Sequence, residues 1–265
     1  MKICVIGFGN MGSALSKGWV TKKILKPSGI IIVDKRVERL RLAQKFKFHT
    51  SSNITTAVRN SDTVLIAVKP QDLSVVLSSI KKGISGQLVI SIVAGITNHN
   101  LLSALGGRTR TIRAMPNTPA LVGSGMTAFA RGKNATARDA KVVRRLFGAV
   151  GETVELREND LDAVTAVSGS GPAYFSYFLE SFLSGARKLG LEKKLAESLV
   201  MKTAIGTLEL LIQTGMSPEK LTKQVTSKGG TTEAAIRHLE SKRFRLLIEQ
   251  AIKKAWLRSS HLGNK

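Results

Sequence analysis

Apolar positions in the first two thirds of the chain fall into two alternating kinds of segment. Ile3–Ile6, Ile30–Val33, Val64–Val68 and Leu88–Val93 are runs of four to six residues, rich in β-branched side chains and nearly free of polar alternation. Strands covered on both faces read this way. Between them, Met11–Val20, Val37–Phe46, Ile54–Arg59 and Leu73–Ile80 carry apolar residues at helical spacing, as the crossovers of a parallel sheet require. After Arg113 the pattern changes, with strand candidates at Met126–Ala130 and Thr153–Leu156 flanking a helix at Ala137–Ala149.

Beyond about Asp162 the strand signals stop. Pro172–Leu189, Lys193–Thr214, Pro218–Thr226 and Thr231–Ser259 repeat apolar residues at helical spacing, as in Leu195, Leu199, Ala204, Leu208 and Leu211. Ser170 and Ser217 stand where a hydroxyl caps a helix start, and Pro172 and Pro218 occupy first turns, where proline has no hydrogen bond to lose. Gly190 and Gly215 sit where helices should end. The expectation is an α/β domain over residues 1–163 followed by an all-α domain over 164–265. The apolar content of these last helices exceeds what one chain of this size covers, which points to a dimerisation role.

Composition adds limits. With 43% hydrophobic and 22% charged residues and 6 Pro in 265, the chain is globular in character. The single cysteine, Cys4, excludes an intramolecular disulfide framework and suits a reducing cytoplasm. Residues 1–20 offer no targeting pattern, because Gly7, Gly9, Asn10 and Gly12 break the apolar stretch. The expectation is a soluble, cytoplasmic protein with no membrane partner. The unusual quantity is the net charge of +23, from 41 basic and 18 acidic residues. Such a balance attracts polyanions. The excess is nevertheless spread, with 25 basic and 10 acidic residues over 1–165 and 16 and 8 over 166–265, and aromatics are only 5%. A nucleic-acid binder more often concentrates cations on one stripe and adds aromatics for stacking, so this partner is disfavoured.

The strongest local signal is Gly7-Phe8-Gly9-Asn10-Met11-Gly12, a G-x-G-x-x-G that directly follows the first strand and opens a helix. Gly7 permits the tight turn, Gly9 lets backbone approach a pyrophosphate, and Gly12 lets helix pack on strand, while the helix N-terminus offers N–H groups to the anion. The α/β domain is therefore expected to be a Rossmann-like, mostly parallel sheet that binds a dinucleotide. At the end of the second strand Asp34 suits a ribose 2′-hydroxyl, whereas Lys35 and Arg36 suit a 2′-phosphate. The two cations favour NADPH, with NADH as the alternative. Ala67-Val68-Lys69-Pro70 ends another strand, on the side where parallel sheets hold ligands, and walls the nicotinamide half of the cofactor or simply stops the strand.

Two further loops invite attention. Met115-Pro116-Asn117-Thr118-Pro119 is stiff and presents Asn117, and Ser168-Gly169-Ser170-Gly171-Pro172 is a turn into a long helix. The most informative stretch is late. In Leu221–Glu240 a Ser-x-Gly-Gly-Thr-Thr loop, Ser227 to Thr232, runs into a helical segment and puts the N–H groups of Gly230, Thr231 and Thr232 at its start with no bulky side chain in the way. That suits a small carboxylate, with the Thr232 hydroxyl available to a nearby nitrogen or oxygen. His49, His99, His238 and His261 are scattered without ligand spacing, so neither a metal site nor a histidine triad is supported.

Read in order, GFGNMG, AVKP at 67–70, MPNTP at 115–119, SGSGPAY at 168–174 and LTKQVTSKGGTTEAAI at 221–236 resemble the Δ1-pyrroline-5-carboxylate reductases over nearly the whole chain. One departure stands out: Lys228 occupies the position where that family usually has proline. The resemblance implies NAD(P)H-dependent reduction of a cyclic imine to L-proline, the last step of proline synthesis. It implies a carboxylate held by Gly230, Thr231 and Thr232, Ser227 lining the site, and Thr232 at the ring nitrogen as the catalytic residue. It also implies Asn53 at the adenosine, Ala67 and Lys69 at the cofactor, and Asn117 at the nicotinamide end. A homodimer with shared active sites follows, with dimers often assembled into decamers. Two alternatives remain at this level. A β-hydroxyacid dehydrogenase shares the two-domain plan but needs a catalytic lysine that no motif here singles out, and a basic nucleotide-sensing protein that binds nucleic acid is the more remote reading.

Overall fold

The computed structural model describes residues 1–263. Eight strands, β1 (Ile3–Ile6), β2 (Ile30–Val33), β3 (His49–Ser51), β4 (Thr63–Ile66), β5 (Leu88–Ser91), β6 (Arg110–Pro116), β7 (Gly125–Arg131) and β8 (Gly151–Glu155), form one sheet in the order β3-β2-β1-β4-β5-β6-β7-β8. All neighbours run parallel except β6 and β7. The order reverses between β1 and β4, the switch point at which doubly wound sheets bind ligands beyond their carboxyl ends. The connecting helices are α1 (Asn10–Thr21), α2 (Val37–Lys45), α3 (Ile54–Arg59), α4 (Leu73–Lys81), α5 (Asn98–Ala104) and α6 (Ala137–Phe147).

The sheet is buried on both faces, which is why its strands read as continuous apolar runs. Alternate residues of β1 point to opposite sides: Ile3 and Val5 join Leu15 and Trp19 of α1 and Leu146 and Phe147 of α6, while Cys4 and Ile6 join Val58 of α3 and Val76 and Ile80 of α4. Each such large side chain, fully buried, contributes on the order of 2 kcal/mol. Burial pushes the Cys4 thiol up to about 12, so it stays protonated and unreactive at neutral pH.

A short helix, α7 (Leu161–Val164), continues through a π-helical turn, Thr165–Gly169, into α8 (Gly171–Lys188). Then follow α9 (Lys193–Thr214), α10 (Pro218–Val225), α11 (Thr231–Ser241) and α12 (Phe244–Gly263). Gly190 and Gly215 take the left-handed conformation past the ends of α8 and α9, and the Ser217 hydroxyl accepts from Lys220 N–H, as their positions predict. Three expectations need correction. Ser170 directly precedes α8 and Pro172 lies in its first turn, but Ser170 has helical φ and ψ of −87° and −21°, so the backbone runs on from the π-helical turn and Ser170 is not an extended cap. The segment 231–259 is two helices, broken where Arg243 adopts a φ of 54°. Elements β3, β6 and α5 carried no clear pattern: β3 is a polar edge strand, and β6 interrupts its apolar run with Arg113.

The chain divides into two compact units, Met1–Pro172 with the segment from Lys254 on, and Ala173–Lys253. Residues 164–172 stay with the first unit: Ala166 of the π-helical turn is buried, and the Asn117 amide donates to Ser168 Oγ at 3.2 Å. The last two positions of the 164–265 domain lie outside the described residues. Within the first unit, Arg113 on β6 is 2% exposed and donates to Asp162 Oδ1 at 2.7 Å, and the Ser259 hydroxyl of α12 donates to the same oxygen at 2.9 Å. The second unit has no apolar centre of its own. Among its described residues only Ala196 and Val200 are buried, while Phe175, Tyr177, Leu189 and Ile212 are 64%, 74%, 85% and 80% exposed.

Candidate functional site

Three carboxyl ends of the sheet open onto one cleft. A volume of about 470 Å³ lies beyond β1, β2 and β4, lined by Gly7 and Gly9, by Asp34, Lys35 and Arg36, and by Ala67, Val68 and Lys69. The glycines are required where they stand. Gly7 has φ of 101° and donates its N–H to Val33 O at 2.7 Å, which ties the turn to β2. A Cβ on Gly12 would collide with the Gly7 carbonyl oxygen, whereas one on Gly9 would meet nothing within 4 Å. Gly12 therefore serves packing, and Gly9, at the N-cap of α1, leaves its side clear for a group to approach the helix start. Asn10 and Met11 form the first turn of α1, Met11 packing against the buried cluster on that face. An open helix N-terminus beside a glycine turn is a cradle for a pyrophosphate, and the geometry fits a dinucleotide.

Asp34 has a role that its motif did not reveal. Its side chain is 6% exposed; Oδ2 accepts from Phe8 N–H at 2.7 Å and Oδ1 from Arg36 N–H at 2.9 Å. The carboxylate thus brackets the glycine turn and the start of α2 while lining the cleft. Arg36 Nε lies 3.7 Å from Asp34 Oδ1, and exposed Lys35 pairs with Asp72 at 2.7 Å. Both cations stand at the cleft.

Other predicted residues are placed differently. Asn53 lies outside the lining and caps α3, its Oδ1 accepting from Thr56 N–H at 3.0 Å. Pro70 begins a short 3₁₀ turn next to the lining. The Asn117 side chain is committed within its own unit, with Oδ1 accepting from Met126 N–H at 2.8 Å and Nδ2 donating to Ser168. Ile54, Gln71, Asp72, Val75 and Val76 line the cleft without any motif marking them. The available signal was position: they open α3 and α4, directly after strands of the sheet.

In the second unit, Ser227–Gly230 forms a turn closed by Gly230 N–H donating to Ser227 O at 3.0 Å. A Cβ on Gly230 would lie 2.5 Å from Ser227 Oγ. Gly230 is the N-cap of α11 and has no side chain to cap it, so the amides of Gly230, Thr231 and Thr232 sit at the helix start as the sequence predicts.

A doubly wound sheet with a glycine-turn cleft at its switch point, followed by helices, defines a dinucleotide-dependent oxidoreductase class. A family model described as pyrroline-5-carboxylate reductase dimerisation matches residues 158–262, and one described as NADP oxidoreductase, coenzyme F420-dependent, matches residues 2–95. The chain is 39% identical to the pyrroline-5-carboxylate reductase of Synechocystis sp., covering 100% of this chain and 99% of that protein. It is 40% identical to that of Methanosarcina acetivorans, covering 100% and 98%. The crystal structure of Plasmodium falciparum pyrroline carboxylate reductase with NADP bound matches with a TM-score of 0.91 and 31% identity, over 99% of this chain and 98% of that one. The chain belongs to the pyrroline-5-carboxylate reductase family.

Proposed function

We propose that this protein reduces 1-pyrroline-5-carboxylate to L-proline with NADPH, the last step of proline biosynthesis, in the cytoplasm. The observation that carries the reading is the presence, in one member of this family, of an unobstructed glycine cleft in the first unit and the amide-lined start of α11 in the second. NADPH supplies the hydride. The backbone of Gly7, Gly9, Asn10, Met11 and Gly12 holds the pyrophosphate, and Ala67, Val68, Lys69 and Pro70 wall the cofactor. Asn53 stands toward the adenosine and Asn117 toward the nicotinamide end, Asn117 acting chiefly by fixing its loop. Lys35 and Arg36 at the cleft supply the cations that a 2′-phosphate would take, Lys35 exchanging its pairing with Asp72 and Arg36 its longer contact with Asp34.

The Thr231 and Thr232 amides bind the substrate carboxylate, with Ser227 alongside; the Gly230 N–H, expected to join them, is spent on Ser227 O, so Gly230 contributes a turn with no side chain in the way. The Thr232 hydroxyl meets the ring nitrogen. A protonated imine carbon is electrophilic enough to accept hydride, so the protein's task is orientation, and no dedicated acid–base side chain is needed. The exposed apolar faces of α8 and α9 support pairing of two chains, because a unit of this size with two buried residues does not persist uncovered in water. Each site then combines one chain's nucleotide-binding unit with the partner's helical unit, and dimers assemble further into decamers; sedimentation distinguishes the two masses. No helix among the described residues is long and apolar enough to cross a membrane.

Steady-state assay tests the reading. NADPH should be oxidised in the presence of pyrroline-5-carboxylate, with kcat/KM above that for NADH by about tenfold, the scale of one charge-assisted contact. Turnover with a 3-hydroxy acid and none with the imine would refute it. Thr232→Ala is expected to lower kcat by about a hundredfold while leaving the KM for NADPH in place. Unchanged turnover would remove Thr232 from the reaction.

A further inference from the structure

The turn that delivers the substrate-binding amides is held by a carboxylate that no motif singled out. In Ser227–Gly230 the third residue, Gly229, has φ of 74°, as a type II turn requires, and such turns favour proline at the second position. That position is Lys228, which does not fix its own φ as proline would. Gly229 N–H donates instead to Glu233 Oε2 at 2.6 Å, and Glu233 Oε1 accepts from Arg237 at 2.9 Å. Glu233 is the third residue of α11, with a side chain 25% exposed. Its reach back across the helix start goes one residue past the N-cap, Gly230, which has no side chain of its own to cap the helix.

We propose that Glu233 is a positioning residue for the substrate carboxylate. By holding Gly229, it fixes the turn that Gly230 N–H closes onto Ser227 O, and with it the direction of the Thr231 and Thr232 amides, and supplies through a side-chain bond the order that proline at 228 would supply through backbone stiffness. Arg237 cancels the charge that would otherwise repel an incoming carboxylate, so the helix start stays positive. The inference rests on the reading of this loop as the carboxylate site.

Glu233→Ala should raise the KM for pyrroline-5-carboxylate about tenfold, the scale of a hydrogen bond to a charged group, with kcat within about threefold of wild type and the KM for NADPH unchanged. Glu233→Gln keeps an oxygen acceptor and should stay within about threefold of wild type. Adding Lys228→Pro to Glu233→Ala should restore the KM, an outcome that general damage to the fold would not give. Hydrogen exchange at residues 229–232 of the substrate-free protein should quicken in Glu233→Ala and slow again in the double variant. An unchanged or lowered KM in Glu233→Ala, or a failure of Lys228→Pro to restore it, overturns the proposal. A wild type inactive on the imine defeats the substrate reading and with it the role in binding, while exchange still decides whether Glu233 orders the loop.

Discussion

Asp162→Ala lowers the stability of the first unit by about 3–5 kcal/mol, the usual cost of leaving one member of a buried ion pair alone. Arg113 is almost fully enclosed, and its Nε has no hydrogen-bond partner among the described residues. Asp162 is therefore the group that compensates its charge, and the guanidinium cannot reach water without opening the sheet around β6. The same carboxylate receives the Ser259 hydroxyl of α12, so its loss removes that bond as well. Ser259→Ala should cost only about 1 kcal/mol, since one neutral donor is lost and the ion pair survives. Urea unfolding followed by Trp19 fluorescence measures both, because Trp19 lies in the core of this unit with its indole N–H bonded to Leu146 O at 2.8 Å. Equal effects for the two variants would show that the ion pair is not the anchor.

Gly12→Ala disables the cofactor cleft. The added methyl meets the Gly7 carbonyl, a backbone atom that cannot swing aside as a side chain would, so the turn between β1 and α1 must open. The expected result is a KM for NADPH raised at least about tenfold and a stability loss of about 1–3 kcal/mol, the usual cost of forcing a group into a filled space. Gly9→Ala provides the contrast. Nothing surrounds its new methyl within 4 Å, so stability should hold within about 0.5 kcal/mol while cofactor affinity falls. If both variants lose stability equally, the division between a packing glycine and an approach glycine is wrong. Isothermal titration with NADPH and thermal unfolding read the two quantities separately.

The site was legible where chemistry is written in backbone geometry. The glycines of the first turn and the Gly-Gly-Thr-Thr loop announce themselves, because few residues other than glycine allow those conformations or that approach. Side-chain partnerships were not legible. Asp34 reads as a ribose ligand by position, and its bonds to the Phe8 and Arg36 N–H groups depend on how β1 and β2 lie together. Glu233 reads as an ordinary first-turn acid until its bond to Gly229 is seen. Strand β6 was hidden for a related reason: an arginine argues against a buried strand unless its partner is known, and Asp162 lies 49 residues further on.

The sequence by itself determined the alternation of strands and helices, the cofactor turn and the amide-rich helix start, since these follow from local periodicity and from the steric freedom of glycine. The tertiary structure decided which polar groups are spent on holding the protein together and which remain for ligands. It also showed that the helical unit, with two buried residues in its described span, leaves its apolar faces uncovered within one chain. Those outcomes depend on pairings between residues distant along the chain, and local pattern carries no information about which distant group satisfies a buried charge or covers an apolar face.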